Sequence, residues 1–287
     1  MSEEKARQQS MQFSNTKAIM DVLDIAYDAG IRTFMCTTHD RIAEVCDYIR
    51  ANPQRYADFK MYPCMPYAHK YADAVTEEGL IGALKKFTAG NNMFSMLAKG
   101  GMAAVTNDFG GIMKVLVDAE LSMFKGIKTP VILLQNVLVD LLLGLDFKTI
   151  FVEYAEYIRE KYNAEPGFIT MNLPKLVDVM EECGIENPII CSNINKIGFR
   201  MCGGKEIYEQ IIREKKFRPI AMSVYASGAI RPKEALEYVC RQKNIESIVF
   251  GASSRGNILQ TKQLIEQFDL ESGLKTKTPS SGAYVSG

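Results

Sequence analysis

The chain has two histidines, His39 and His69. Each follows a short apolar run and has a cysteine just upstream, Cys36 or Cys64. Imidazole moves protons near neutral pH, so both are candidates for acid–base work. Tyr67, His69, Lys70 and Tyr71 make the polar cluster PYAHKY, in which Tyr67 adds a phenol and Lys70 an amine. A lysine desolvated at a cavity mouth can form a Schiff base with a carbonyl substrate, and Lys196 in NINKIG is the second candidate for that chemistry. The plainer reading of either lysine is a solvated loop side chain. Cysteine and histidine also bind zinc, but the CxxH and CxxxxH spacings bring no diagnostic third or fourth ligand, so no metal site is expected.

A second constellation lies in FGASSRGNI, Phe250 to Ile258. Gly251 and Gly256 let backbone N–H groups approach a ligand, Ser253 and Ser254 add hydroxyls, and Arg255 adds a charge-assisted fork, with Asn257 close by. The loop ASGAI upstream contributes Ser227 and Gly228. Together these suit a phosphate, free or carried on a cofactor such as NADP. The competing reading is an ordinary helix cap by Ser254 or Asn257.

The elements that must position these residues alternate. Seven apolar runs read as strands: 31–38, 59–67, 130–136, 168–173, 188–195, 219–226 and 247–253. Segments of helical spacing separate them, the pattern of parallel βα units. Length and rhythm favour a (β/α)8 TIM barrel over an open sheet. The eighth strand is weak or missing; MQFSN, 11–15, is its candidate. Alternation along the strands turns Cys191, Asn193 and Asn195 inward, as well as Thr170 and Asn172, leaving Ile169 and Met171 outside. Ser223, Tyr225 and Ser227 share one parity. Polar side chains thus gather at strand C-terminal ends, where barrels keep their sites; amides there can also serve simply to satisfy loop backbone.

Residues 1–274 read as a single domain, with a Met- and Gly-rich helical insertion at about 90–125 between the runs at 59–67 and 130–136. The insertion reads as a lid or, more plainly, as a helical hairpin that could make a homo-oligomer contact. The Ser/Gly/Thr-rich stretch 275–287 is expected to be a disordered tail. Lys plus Arg equals Asp plus Glu, 34 each, so there is no net field to draw the chain onto nucleic acid or an anionic membrane. Seven scattered cysteines without CxxC, no apolar leader and no uninterrupted membrane-length run lead to the expectation of a reduced, cytoplasmic protein whose partner is a small-molecule substrate.

From about Phe151 to Phe268 the chain resembles the aldo-keto reductases. EYAEYIREKYNAEPGFITMN is similar to their fourth helix and fifth strand, CSNINK to their polar sixth strand, SVYASGAI to the seventh strand and its loop, and ALEYVCRQKNIESIVFGASSRGNI to their last helix–strand–loop. AYDAGIRTFMCTTHDRIAEV is similar to their second-strand region. The resemblance implies an aldo-keto-reductase-like barrel with NADP(H) held by Asn172, Asn193 or Asn195, Tyr225, Ser253, Arg255 and Asn257. The family's Asp, Tyr, Lys and His do not carry over. Met35 stands for the Asp, no tyrosine follows it in the loop, PCMPY has no lysine, and Gln135-Asn136 replaces the His. The expectation is therefore a metabolic enzyme acting on a small carbonyl or phosphorylated metabolite by other means, oxidoreductase-like or a lyase. The alternatives are a Schiff-base aldolase using Lys196 or Lys70, and a non-catalytic ligand-binding or structural barrel.

Overall fold

The computed structural model describes residues 15–67, 109–271 and 282–284. All seven expected strands form: β1 Thr33–Thr37, β2 Lys60–Met65, β3 Val131–Leu134, β4 Glu165–Thr170, β5 Ile189–Asn193, β6 Arg218–Met222 and β7 Ser247–Phe250. They pair in sequence order, each parallel to the next.

Helices separate them. α1 Thr16–Asp28 precedes β1, and α2 Asp40–Ala51 links β1 to β2. α3 Phe109–Leu121 leads to β3, and α4 Asn136–Leu145 with α5 Lys148–Tyr162 joins β3 to β4. α6 Leu173–Glu182, α7 Lys205–Glu214, α8 Pro232–Cys240 and α9 Arg255–Glu271 follow β4, β5, β6 and β7. α3 falls within the expected insertion, and buries Met113, Val117 and Leu121 at helical spacing. The earlier part of that insertion lies outside the described residues. Among the described residues no helix is long and apolar enough to cross a membrane.

The gap between β7 and β1 is filled from an unexpected place. β8, Gly282–Tyr284, runs parallel to both, pairing Thr33 with Gly282, Phe34 with Ala283 and Met35 with Tyr284 on one side, and Val249 with Gly282 and Phe250 with Ala283 on the other. The expected source of this strand, 11–15, is corrected: Asn15 caps α1 through its side chain, and residues 1–14 lie outside the described residues. The expected disordered tail, 275–287, contains this strand at 282–284, and its other residues lie outside the described residues. A slot bounded by two parallel edges selects for main-chain N–H and C=O groups, which any sequence supplies and composition does not reveal.

Side chains sort into two layers. Met35, Cys64, Val131, Leu133, Ile169, Ile189, Cys191, Ile220 and Val249 pack together inside the ring. Their strand neighbours Phe34, Met65, Ile132, Leu134, Phe168, Ile190, Ala221 and Phe250 belong to the larger layer shared with the helices. Gly167, on the inner face, leaves room for Leu133, whose Cδ2 would lie 2.8 Å from an added Cβ. In the outer layer Phe168 meets Phe151 and Tyr154 edge-on, and the Tyr154 hydroxyl donates to the Ile132 carbonyl at 2.8 Å, pinning α5 to β3.

Candidate functional site

Asn193 ends β5 on the inward register of Ile189 and Cys191, and its partner on β6 is Met222. It is 0% exposed. Its Nδ2 donates to the Arg200 carbonyl at 2.9 Å and lies 2.7 Å from the Met171 sulfur. The carbonyl can only accept, so the amide orientation is fixed and Oδ1 is left over. Oδ1 is buried with no hydrogen-bond partner. A buried acceptor without a donor costs about 1–3 kcal/mol. Asn195, also buried, is instead spent on its own loop, its amide bonding both the N–H and the C=O of Phe199.

Met171 is itself held. Its N–H donates to both carboxylate oxygens of Asp140 on α4, its carbonyl accepts from the Tyr208 hydroxyl at 2.8 Å, and Thr170 Oγ1 donates to Asp140 Oδ1 at 2.5 Å. Burial raises the Asp140 pKa, while these donors pull against it. This geometry corrects the expected facing of β4. Ile169 packs inside the ring, and Thr170 points to the helical shell. Both faces of a barrel strand are buried, so polarity alone does not separate them. Asn172 lies past the strand, where its side chain accepts from Lys175 N–H as the N-cap of α6; it is a cap and does not line the interior.

At the ends of β1 and β2 a second cluster forms around Glu120, a residue that chemistry-first reading of the sequence missed. Glu120 is 1% exposed, accepts from the Thr38 hydroxyl, and takes the Tyr67 backbone N–H at 3.1 and 3.0 Å. The signal was present: Glu120 falls on the apolar stripe of α3 beside Val117 and Leu121. His39 N-caps α2, its Nδ1 accepting from Arg41 N–H at 3.3 Å, and its ring meets Tyr67 edge-on at 6.1 Å. With Nδ1 an acceptor, the proton sits on Nε2. His69 and Lys70 lie outside the described residues.

The loops after β6 and β7 carry the expected phosphate ligands. Ser223, Ala226 and Ser227 all have positive φ (54, 47 and 59°), followed by Gly228 at 86°. Left-handed backbone at non-glycine residues stores strain of roughly 1–2 kcal/mol each and clusters at functional loops. Ser227 and Gly228 are exposed. Tyr225, expected to share an inward run, is corrected: the strand ends at Met222, the turn at Ser223 breaks alternation, and the Tyr225 hydroxyl bonds Thr261 on α9 at 2.8 Å. Ser254 accepts Asn257 N–H at 3.3 Å at the start of α9, as a cap does. Arg255 and Asn257 are exposed in the first turn of that helix, and Ser253 is half-buried before it.

Lys196 is 48% exposed and ion-paired with Glu234 at 2.5 Å, which removes the desolvation that a Schiff-base lysine needs. The thiols of Cys36, Cys64 and Cys191 are pushed well up by burial, so they pack as apolar groups and are poor nucleophiles. Among the described residues no three His, Cys, Asp or Glu side chains stand where they could hold a metal. Met35 lies inside the apolar ring, and Gln135 is buried at the end of β3. No protein-family model matches the chain, and no curated protein matches it at a significant level.

Proposed function

We propose that this chain is an enzyme of aldo-keto-reductase-like architecture that binds a small carbonyl or phosphorylated metabolite at the C-terminal mouth of its strands. The observation that carries the reading is the buried, unpartnered Oδ1 of Asn193, fixed on the inward register at that mouth. A ligand donor there recovers what the empty acceptor costs. The strained Ser223–Gly228 loop and the first turn of α9 with Ser253, Ser254, Arg255 and Asn257 stand at neighbouring strand ends, and suit the phosphate of that ligand or of NADP. His39, with its Nε2 proton and Tyr67 beside it, is the group for proton movement. Reduction by the usual Asp, Tyr, Lys and His is set aside, since Met35 and Gln135 take two of those places; the chemistry is an NADP-linked oxidoreductase's with another acid, or a lyase's.

A second reading, a ligand-binding barrel without catalysis, is favoured by one set of observations. Asn172 and Ser254 are used as helix caps, Asn195 closes its own loop, and Lys196 is paired at the surface. Thermal-shift measurements with NADP, NADPH and inorganic phosphate, followed by NADPH-fluorescence turnover with small aldehydes, separate the two. Stabilisation follows from linkage wherever a site exists. Stabilisation with turnover supports the enzyme, and stabilisation without turnover the binding protein. No shift with any of these ligands contradicts a phosphate-bearing ligand.

A further inference from the structure

We propose that the slot between β1 and β7 is an exchangeable strand-acceptor site whose occupant is the chain's own C-terminal segment, held by main-chain pairing and replaceable in trans. β8 is three residues long, against four to six for the other strands. It nevertheless closes two parallel edges at once, through Thr33, Phe34 and Met35 on one side and Val249 and Phe250 on the other. Glycine at 282 brings no side chain and alanine at 283 a single methyl, so main-chain pairing is what these two positions offer the slot. Recognition of an added strand by backbone pairing tolerates varied sequence and is the physics of β-augmentation.

β8 follows α9, from which residues 272–281 separate it. When β8 leaves, two unpaired edges face each other across one strand's width, a template that any compatible extended segment relieves. The seam also has a functional address. β1 leads to His39, and β7 leads to Ser253–Asn257, so the strand between them sets the separation of those two loops.

The test uses the full-length chain carrying Ala283→Pro. Residue 283 lies between two partner strands, so proline removes a ladder hydrogen bond whichever side its N–H faces. The melting midpoint is expected to fall by on the order of 5–10 °C. An excess of peptide with the sequence of residues 280–287 should raise it again, while the same peptide with proline at 283 should not. A variant that melts like the parent overturns the proposal, because the segment then closes nothing. A lowered midpoint that the peptide leaves unchanged overturns it too, because the strand is then integral. Should the variant not fold, uptake of labelled 280–287 peptide by the unmodified chain decides: uptake competed by unlabelled peptide supports exchange, and none contradicts it.

Discussion

The arc from β3 to β6 and the seam from β7 to β1 solve the same closure problem differently. In the arc, strands pair over four or five residues between β3 and β4, β4 and β5, and β5 and β6, and large side chains lock them from outside: Phe168 against Phe151 and Tyr154, and Tyr154 to the Ile132 carbonyl. At the seam, three residues pair with both edges. The arc is stabilised by apolar burial, which is large and specific to side chains. The seam relies on hydrogen bonds, which are modest in net terms and nearly blind to sequence. The fixed acceptor Asn193 sits on the arc, and the loops that carry His39 and Ser253–Asn257 flank the seam.

This contrast can be broken first at its strong end. Phe168→Ala should cost about 3–5 kcal/mol by urea denaturation. A cost below that of an exposed truncation would mean the arc is not the stabilised half.

Next comes the mouth cluster between the two regions. Glu120→Ala strips the acceptor from the Thr38 hydroxyl and the Tyr67 N–H, and should cost about 1–3 kcal/mol for each group left buried. Glu120→Gln should recover part of this, since its carbonyl still accepts. Equal losses for both variants would point to charge, and not hydrogen bonding, as the source.

A smaller effect is expected from Asp140. Its native pKa is raised above the ordinary 3.8 by burial, so the folded state binds the proton more tightly than the unfolded chain. Stability should therefore fall as pH rises from about 3.8 through the raised native value, and be regained on acidification through the same window. Asp140→Asn should flatten that part of the pH–stability curve; an unchanged slope would place the proton elsewhere. The smallest effect belongs to Lys196→Met, which loses an exposed ion pair and should change stability by about 0–1 kcal/mol. Borohydride trapping with a carbonyl substrate should leave Lys196 unmodified.

The same physical division explains what could be read from the sequence. The arc's strands announce themselves as apolar runs, because burial on both faces demands such residues, and Asn193 was found because a polar residue interrupts one. The facing of Thr170 and Tyr225 could not be read, since a double-sided buried strand has no polar face to mark it and a left-handed turn at Ser223 resets the alternation. Glu120 was legible only as a charge on an apolar helix stripe, a pattern that means nothing until Thr38 and Tyr67 are known to lie beside it. Gly282–Tyr284 left no trace, because main-chain pairing uses atoms every residue has.

The most direct test of the mouth as a ligand site is a crystal structure of the chain grown with NADP. A ligand N–H or O–H within about 3.2 Å of Asn193 Oδ1 is expected, with the amide still donating to the Arg200 carbonyl. A ligand bound away from the strand ends, with Asn193 Oδ1 bonded to a protein group instead, would contradict it.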